Sequence, residues 1–233
     1  MLDSTELDVL YEDNHLLVIN KPALLPTMGA QSGQASLVDK ARQYLKQKYR
    51  KPGNVYIGVV SRLDSFVSGV IVMARTSKAA ARLTKQFATQ QPHKSYLAIT
   101  PDIRQLSSAS GPLELEHWVV KDERNHRMMT VEKDHPDSPK SARLQIQQIG
   151  HFQQQNLVEV KLFTGRKHQI RVQLAAIGCP IVGDRKYGSK LTFPKGIALH
   201  SQMLTFEHPT KKEPVTIEQA PPEYWNLRRF HAS

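Results

Sequence analysis

An aspartate set at a corner between apolar segments is the feature of this chain best suited to chemistry. Residues 60–76 read Val-Ser-Arg-Leu-Asp-Ser-Phe-Val-Ser-Gly-Val-Ile-Val-Met-Ala-Arg-Thr. Apolar residues precede Asp64, and the continuous run Val70 to Ala74 follows a Ser68-Gly69 turn signal. This pattern predicts two buried strands joined at an Arg-Leu-Asp corner. Desolvation there disfavours a charged carboxylate, and Arg62, two residues earlier, is a candidate counter-charge that would keep it ionised. A structural ion pair accounts for these residues as well as a catalytic carboxylate does.

The elements that must position this corner follow from periodicity and punctuation. Residues 8–20 read as strand, turn (Glu12-Asp13-Asn14) and strand. A helix is predicted over 36–50, opened by a capping-box-like Ser36 and Asp39 and carrying Leu37, Ala41 and Leu45 on its apolar stripe. A second helix starts at Ser77 and runs to about Gln90. Ala80, Leu83 and Phe87 share one face of it, and Lys78, Arg82 and Lys85 share the other. That basic stripe is a candidate phosphate-binding surface, although for any one of its lysines a solvated helix face is the favoured reading. Strands are predicted at 94–100, 113–120, 127–131, 141–149, 157–163, 197–206 and 215–217, and a Ser/Gly-rich loop at 104–112. A third helix over 167–177 turns Ile170, Leu174 and Ile177 inward and stops at Gly178. Mixed strands with a few separated helices predict an α+β fold: a mixed, largely antiparallel central sheet flanked by helices.

Bulk properties bound the partner. The 233 residues are enough for one substantial core, and no composition break divides them, so one domain over 1–233 is expected. A formal charge of +11 with only 7% aromatic residues suits a polyanion followed by its phosphates better than a single strand read by base stacking. The single cysteine, Cys179, excludes an internal disulfide, and no apolar run reaches membrane-spanning length. The charged N-terminus is unlike a signal peptide. A soluble, cytoplasmic monomer with an RNA partner and no membrane is the expectation.

Arg62-Leu63-Asp64 followed by Ser68-Gly69 resembles the catalytic motif of the RluA-type pseudouridine synthases, usually His-Arg-Leu-Asp-x-x-Thr-Ser-Gly. Leu10 to Pro22 (LYEDNHLLVINKP) resembles the family's opening segment, and Lys94-Ser95-Tyr96-Leu97-Ala98 its tyrosine motif. Thr164 to Arg171 (TGRKHQIR) with Ile181-Val182-Gly183-Asp184 resembles its arginine motif. Leu199-His200 with Phe206-Glu207-His208-Pro209 resembles its last. Five motifs in the family's order cover nearly the whole chain.

The resemblance implies isomerisation of a uridine in structured ribosomal or transfer RNA. The C–N glycosidic bond breaks, the uracil turns, and a C–C bond forms. The reaction is redox-neutral and calls for no cofactor and no metal. A carboxylate suits the nucleophile because its ordinary pKa near ~3.9 leaves it ionised at neutral pH. By resemblance Asp64 is that nucleophile, Tyr96 lies against the uracil with a role as base, and Arg171 pairs with Asp64. Taken alone, an arginine on an amphipathic helix would be a surface residue. Arg62 is expected to assist extrusion of the nucleotide or bind backbone, and Leu199 to line the pocket. The target base must leave its stack, at a cost of a few kcal/mol. Ser61, Val67 and Gln173 depart from the family's usual His, Thr and second His. A separate N-terminal RNA-binding domain is not expected. Two rivals are a degenerate RNA-binding relative and a metal-dependent nuclease. Asp64, Tyr96 and Arg171 together argue against the first, and ten scattered histidines against the second.

Overall fold

The computed structural model describes residues 7–29, 34–102 and 111–231. Positions 104–110 of the expected Ser/Gly-rich loop lie outside them. The chain divides into two compact units, Met1–Pro92 with Ser201–Ala220, and His93–His200 with Pro221–Ser233.

In the first unit, β1 (Val9–Glu12) and β2 (Leu16–Lys21) form the expected antiparallel hairpin, and β2 pairs antiparallel with β4 (Ser68–Ala74). A two-residue strand, β3 (Gly58–Val59), also pairs with β4. The later strands β10 (Leu199–Glu207) and β11 (Pro214–Glu218) pair antiparallel with each other. Strands buried on both faces explain why β2 and β4 read as unbroken apolar runs rather than alternating ones. Leu16, Val18, Val70 and Val72 point to one side and pack with Ala79, Leu83, Leu204 and Phe206. Leu17, Ile19, Ile71 and Met73 point to the other and pack with Leu37, Ala41, Leu45 and Ile57. Helix α1 (Leu37–Lys48) therefore covers one face and α2 (Ser77–Ala88) the opposite one. Each fully buried Leu or Ile here is worth about 1.5–3 kcal/mol.

Both helix starts are as the sequence predicts. Ser36 and Asp39 form a reciprocal capping box at α1, and Thr76 caps α2 by accepting from the Ala79 amide. The buried face of α2 is rotated slightly from expectation: Ala79, Leu83 and Gln86 are buried, with Ala80 and Phe87 flanking them. Gln86 is accommodated because its amide exchanges two hydrogen bonds with the backbone of Glu207.

The second unit is an antiparallel arrangement of β5 (His93–Pro101), β9 (Gln155–Leu162), β8 (Lys140–Phe152), β6 (Leu113–Asp122) and β7 (Arg127–Val131), in that spatial order. Helix α3 (Gln169–Ala176) packs Val172 against Val119, Ala142 and Tyr187. It starts two residues later than predicted because His168 sits in the left-handed region (φ 52°). Its inward face is also broader: Gln169 through Leu174 are all buried, while Ile177, expected inward, is a partly exposed C-cap. Gly178, at φ 79°, stops the helix as expected, with its amide and that of Cys179 returning to Ala175 and Leu174.

Candidate active site

Asp64 occupies the turn that feeds β4, where the sequence places it. The Val67 amide donates to the Asp64 carbonyl at 3.1 Å, closing the turn. Within it, the Phe66 amide (3.1 Å) and the Ser65 hydroxyl (3.3 Å) both donate to Asp64 Oδ1. The preceding residue is clamped as well: the Thr27 hydroxyl donates to the Leu63 carbonyl at 2.8 Å and accepts from its amide at 3.3 Å. Gly69 is required by close approach. Its φ is 113°, and a Cβ there would meet the Ser201 carbonyl oxygen at 2.2 Å. The Ser-Gly signal is thus a packing requirement that fixes where the turn ends.

Beneath the turn lies a cation to which the sequence reading gave no role. Lys21, the last residue of β2, has 0% exposure. Its ammonium donates to the carbonyls of Pro22 (2.9 Å), Leu25 (2.8 Å) and Ser65 (3.3 Å). It ties the 22–25 segment to the residue after Asp64. Burial pushes the Lys21 pKa down to about 7, against the opposing pull of the Asp64 charge. Arg62, the counter-charge suggested by sequence, is exposed.

Tyr96 and Arg171 belong to the second unit. Tyr96 lies buried in β5, opposite Val160 of β9. Lys94, on the same strand face two residues earlier, is pushed down to about 8 by burial. Arg171 departs from the surface position that an amphipathic helix would give it: it is 4% exposed. Its Nε and Nη2 donate to Asp184 Oδ2 (2.6 Å) and Oδ1 (2.7 Å), a bidentate pair with a carboxylate only 1% exposed. The guanidinium also stands 4.9 Å from the Tyr187 ring centroid. The Tyr187 hydroxyl accepts from the Met128 amide at 2.9 Å and lies 2.9 Å from His168 Nδ1. Asp184 immediately precedes the short 3-10 helix Arg185–Tyr187, and Tyr187 is its last residue.

The loop before α3 is organised by Gln169, whose Oε1 accepts from the Thr164 hydroxyl (2.8 Å) and the Arg166 amide (2.9 Å). Its Nε2 donates to the Arg143 carbonyl at 3.0 Å. Gln173, where a second His is usual, is fully buried and donates to the Ala142 carbonyl at 3.0 Å, a packing role within the unit. Leu199 is buried at the start of β10. On α2, Lys78 and Lys85 are exposed, whereas Arg82 donates to the Pro209 carbonyl at 2.6 Å. Asp64, Arg62 and the α2 stripe therefore share the first unit, and Tyr96, Arg171 and Leu199 the second.

Lys21, Asp184 and Tyr187 are the residues that sequence reasoning passed over. The signal for Lys21 is a charge at the end of an apolar strand, just before Pro22. For Asp184 it is an acid following Ile181-Val182-Gly183. Both lie in the segments 10–22 and 181–184 that resemble family motifs, but a charge beside an apolar run does not name its partner.

Residues 15–176 match the family described as RNA pseudouridylate synthase. The chain is 36% identical over 235 residues to the ribosomal large subunit pseudouridine synthase D of Xylella fastidiosa, covering 93% of this chain and 66% of that protein. It is 32% identical over 220 residues to the dual-specificity RNA pseudouridine synthase RluA of Haemophilus influenzae, covering 90% and 91%. Among solved structures, the human RNA pseudouridylate synthase domain containing 4 superposes with a TM-score of 0.79 at 25% identity, over 95% of this chain and 92% of that one. The fold is that of the pseudouridine synthases, and the chain belongs to the RNA pseudouridylate synthase family.

Proposed function

We propose that this protein isomerises uridine to pseudouridine in structured ribosomal or transfer RNA, with Asp64 as nucleophile. The observation that carries the reading is the state of Asp64: a half-buried carboxylate, held through Oδ1 by Phe66 and Ser65 in a turn anchored by Lys21. A carboxylate oriented by backbone needs no activating base to attack, and its rigid turn supplies the orientation that nucleophilic catalysis requires. Tyr96 is assigned to the face of the target uracil, Arg171 to the charge of Asp64, and Leu199 to the pocket wall, in each case by the motif it occupies. Arg62, exposed beside the nucleophile, is assigned to the displaced nucleotide or its backbone. Lys78 and Lys85 of α2 are assigned to phosphates, with Arg82 beside them.

The class of RNA follows the relatives, one named for the large ribosomal subunit and one for dual specificity. The family match runs through chain from both units, which supports one catalytic domain. The net charge of +11 supports a phosphate-tracking mode of binding. Tritium release from RNA labelled at uracil C5 tests the activity, because forming the new C–C bond expels the C5 hydrogen. Release by the wild-type protein and none by Asp64→Asn is expected. Absence of release from both ribosomal and transfer RNA would overturn the reading.

A further inference from the structure

The second unit contains a cavity of about 380 Å³ whose walls include neither Tyr96 nor Arg171. The volume falls in the range of small-ligand sites, about 300–1,000 Å³. Ile99 forms part of its floor. Because side chains alternate along a strand, Ile99 points away from the face of β5 that carries Tyr96. The pairing agrees: Ile99 is opposite Leu157 and Tyr96 opposite Val160, again an odd number of residues apart.

The walls combine flat aromatic surface with positive charge. Phe193 and Tyr224 meet edge to face, with centroids 5.9 Å apart, and the Lys195 ammonium stands 5.8 Å from the Tyr224 centroid. Arg229 lines the cavity with its guanidinium 5.1 Å from the Phe152 ring and 5.3 Å from Phe230. Its hydrogen-bonding capacity is under-used. Nη2 reaches only Gln155 Oε1, at 3.4 Å, and Nε is buried without a hydrogen-bond partner among the described residues. A half-exposed guanidinium whose Nε is buried without an acceptor calls for an explanation, and an anion supplies one. No carboxylate lies among the described lining residues, so nothing there repels one.

We propose that this cavity is a nucleotide-binding site, separate from Asp64, that stacks a base on the face of one of its two rings, Phe193 or Tyr224, and holds its phosphate on Arg229, with the exposed Lys195 beside Tyr224 as a second cation. Gln155 and Thr192, also in the wall, supply an amide and a hydroxyl for the edge of the base or the sugar. A planar heterocycle carrying a phosphate matches both halves of the wall, whereas a purely apolar ligand would leave Arg229 uncompensated. The proposal does not depend on the role of Asp64.

Trp225 provides the reporter, since it packs edge-on to Phe193 at 5.4 Å. With Trp118→Phe, Trp225 is the sole indole, the chain having two. Titration with uridine 5′-monophosphate should give a saturable change in its fluorescence, and uridine without phosphate should bind at least about tenfold more weakly. Arg229→Gln should weaken the nucleotide by a similar factor, and Arg229→Lys should restore part of it. Tritium release should be retained in both variants. Because Arg229 packs against the Phe152 and Phe230 rings and its replacement could unfold the unit, side-chain NMR shifts of the wild-type protein provide a second readout. Shifts at Thr192, Phe193 and Tyr224 support the site. No saturable change up to millimolar nucleotide, or shifts confined to the surroundings of Tyr96 and Asp64, overturns it. Displacement by a six-residue oligouridylate would identify the occupant as part of an RNA chain; binding that the oligonucleotide leaves intact would identify a free mononucleotide.

Discussion

Arg171 and Asp184 form a bidentate ion pair at 2.6 and 2.7 Å with almost no solvent access to either side chain. Thirteen residues apart, they join α3 to the segment leading into the 3-10 helix Arg185–Tyr187, and they fix the guanidinium from one side before any substrate arrives. A planar fork held through two of its donors has little rotational freedom left, so its remaining donors have defined directions.

Breaking this pair should be costly. Asp184→Asn preserves shape but removes the carboxylate charge that takes two hydrogen bonds from Arg171, and loss of one partner of such a buried pair costs about 3–5 kcal/mol. Urea unfolding should show a loss of stability of that size, and a change below about 1 kcal/mol would mean that Arg171 finds equal compensation elsewhere.

Arg171→Met tests its assignment to Asp64. If the guanidinium holds the nucleophile ionised, its removal raises the Asp64 pKa, and the acidic limb of the pH–rate profile moves to higher pH. Turnover should fall strongly, with only partial recovery in Arg171→Lys, which lacks the fork. Loss of stability through Asp184 would lower the active fraction at every pH without moving the limb. A profile superimposable on wild type, with full turnover, would transfer the assignment to Arg62.

Asp64→Asn should abolish turnover and spare the fold. The turn uses Asp64 Oδ1 as an acceptor for Phe66 and Ser65, and an asparagine oxygen accepts from both. Above about pH 8, where folded Lys21 is already neutral, the melting temperature should stay close to wild type, and RNA affinity should be retained. Pseudouridine formation above background by the purified variant would exclude Asp64 as nucleophile.

Lys21 links stability to pH. Its folded pKa is about 7 against an ordinary 10.5, so between those values the unfolded chain binds a proton that the folded chain does not. Stability therefore rises with pH across that window. The penalty of burying the charge is complete below about pH 7 and gone above about pH 10.5. Relative to Lys21→Met, wild type should gain as pH is raised from 7 towards 10, with a limiting slope of about 1.4 kcal/mol per pH unit. In Asp64→Asn, the opposing carboxylate charge is lost, and the window should extend to lower pH. A difference independent of pH would show that the three carbonyls keep the ammonium protonated throughout.

The α2 stripe is best tested without Arg82, which donates to the Pro209 carbonyl. Replacing exposed Lys78 and Lys85 by Ala should reduce the salt dependence of RNA binding by about 0.7–0.9 for each phosphate that is no longer neutralised. Chemistry and stability should not change. Arg82→Ala should in addition cost about 1 kcal/mol of stability through the missing hydrogen bond. An unaltered salt slope in the double variant would leave the stripe a solvated helix face.

The elements could be read from the sequence because their signals are local. The Ser36/Asp39 capping box, the stop at Gly178, the turn signal Glu12-Asp13-Asn14 and the unbroken run Val70 to Ala74 each constrain the backbone over a few residues. The position of Asp64 was legible for the same reason, since a turn signal and an apolar strand bracket it. What surrounds a charged side chain is set by residues distant in sequence, and there the local reading stops. Three backbone carbonyls, one of them 44 residues away, decide that Lys21 is buried. Asp184 and the Tyr187 ring make an interior position tolerable for Arg171, overriding the surface preference of an arginine on a helix. Gln86 is buried because the backbone of Glu207, 121 residues later, satisfies its amide. Apolar residues announce burial by their own chemistry. Buried polar residues require partners, and tertiary structure alone supplies them.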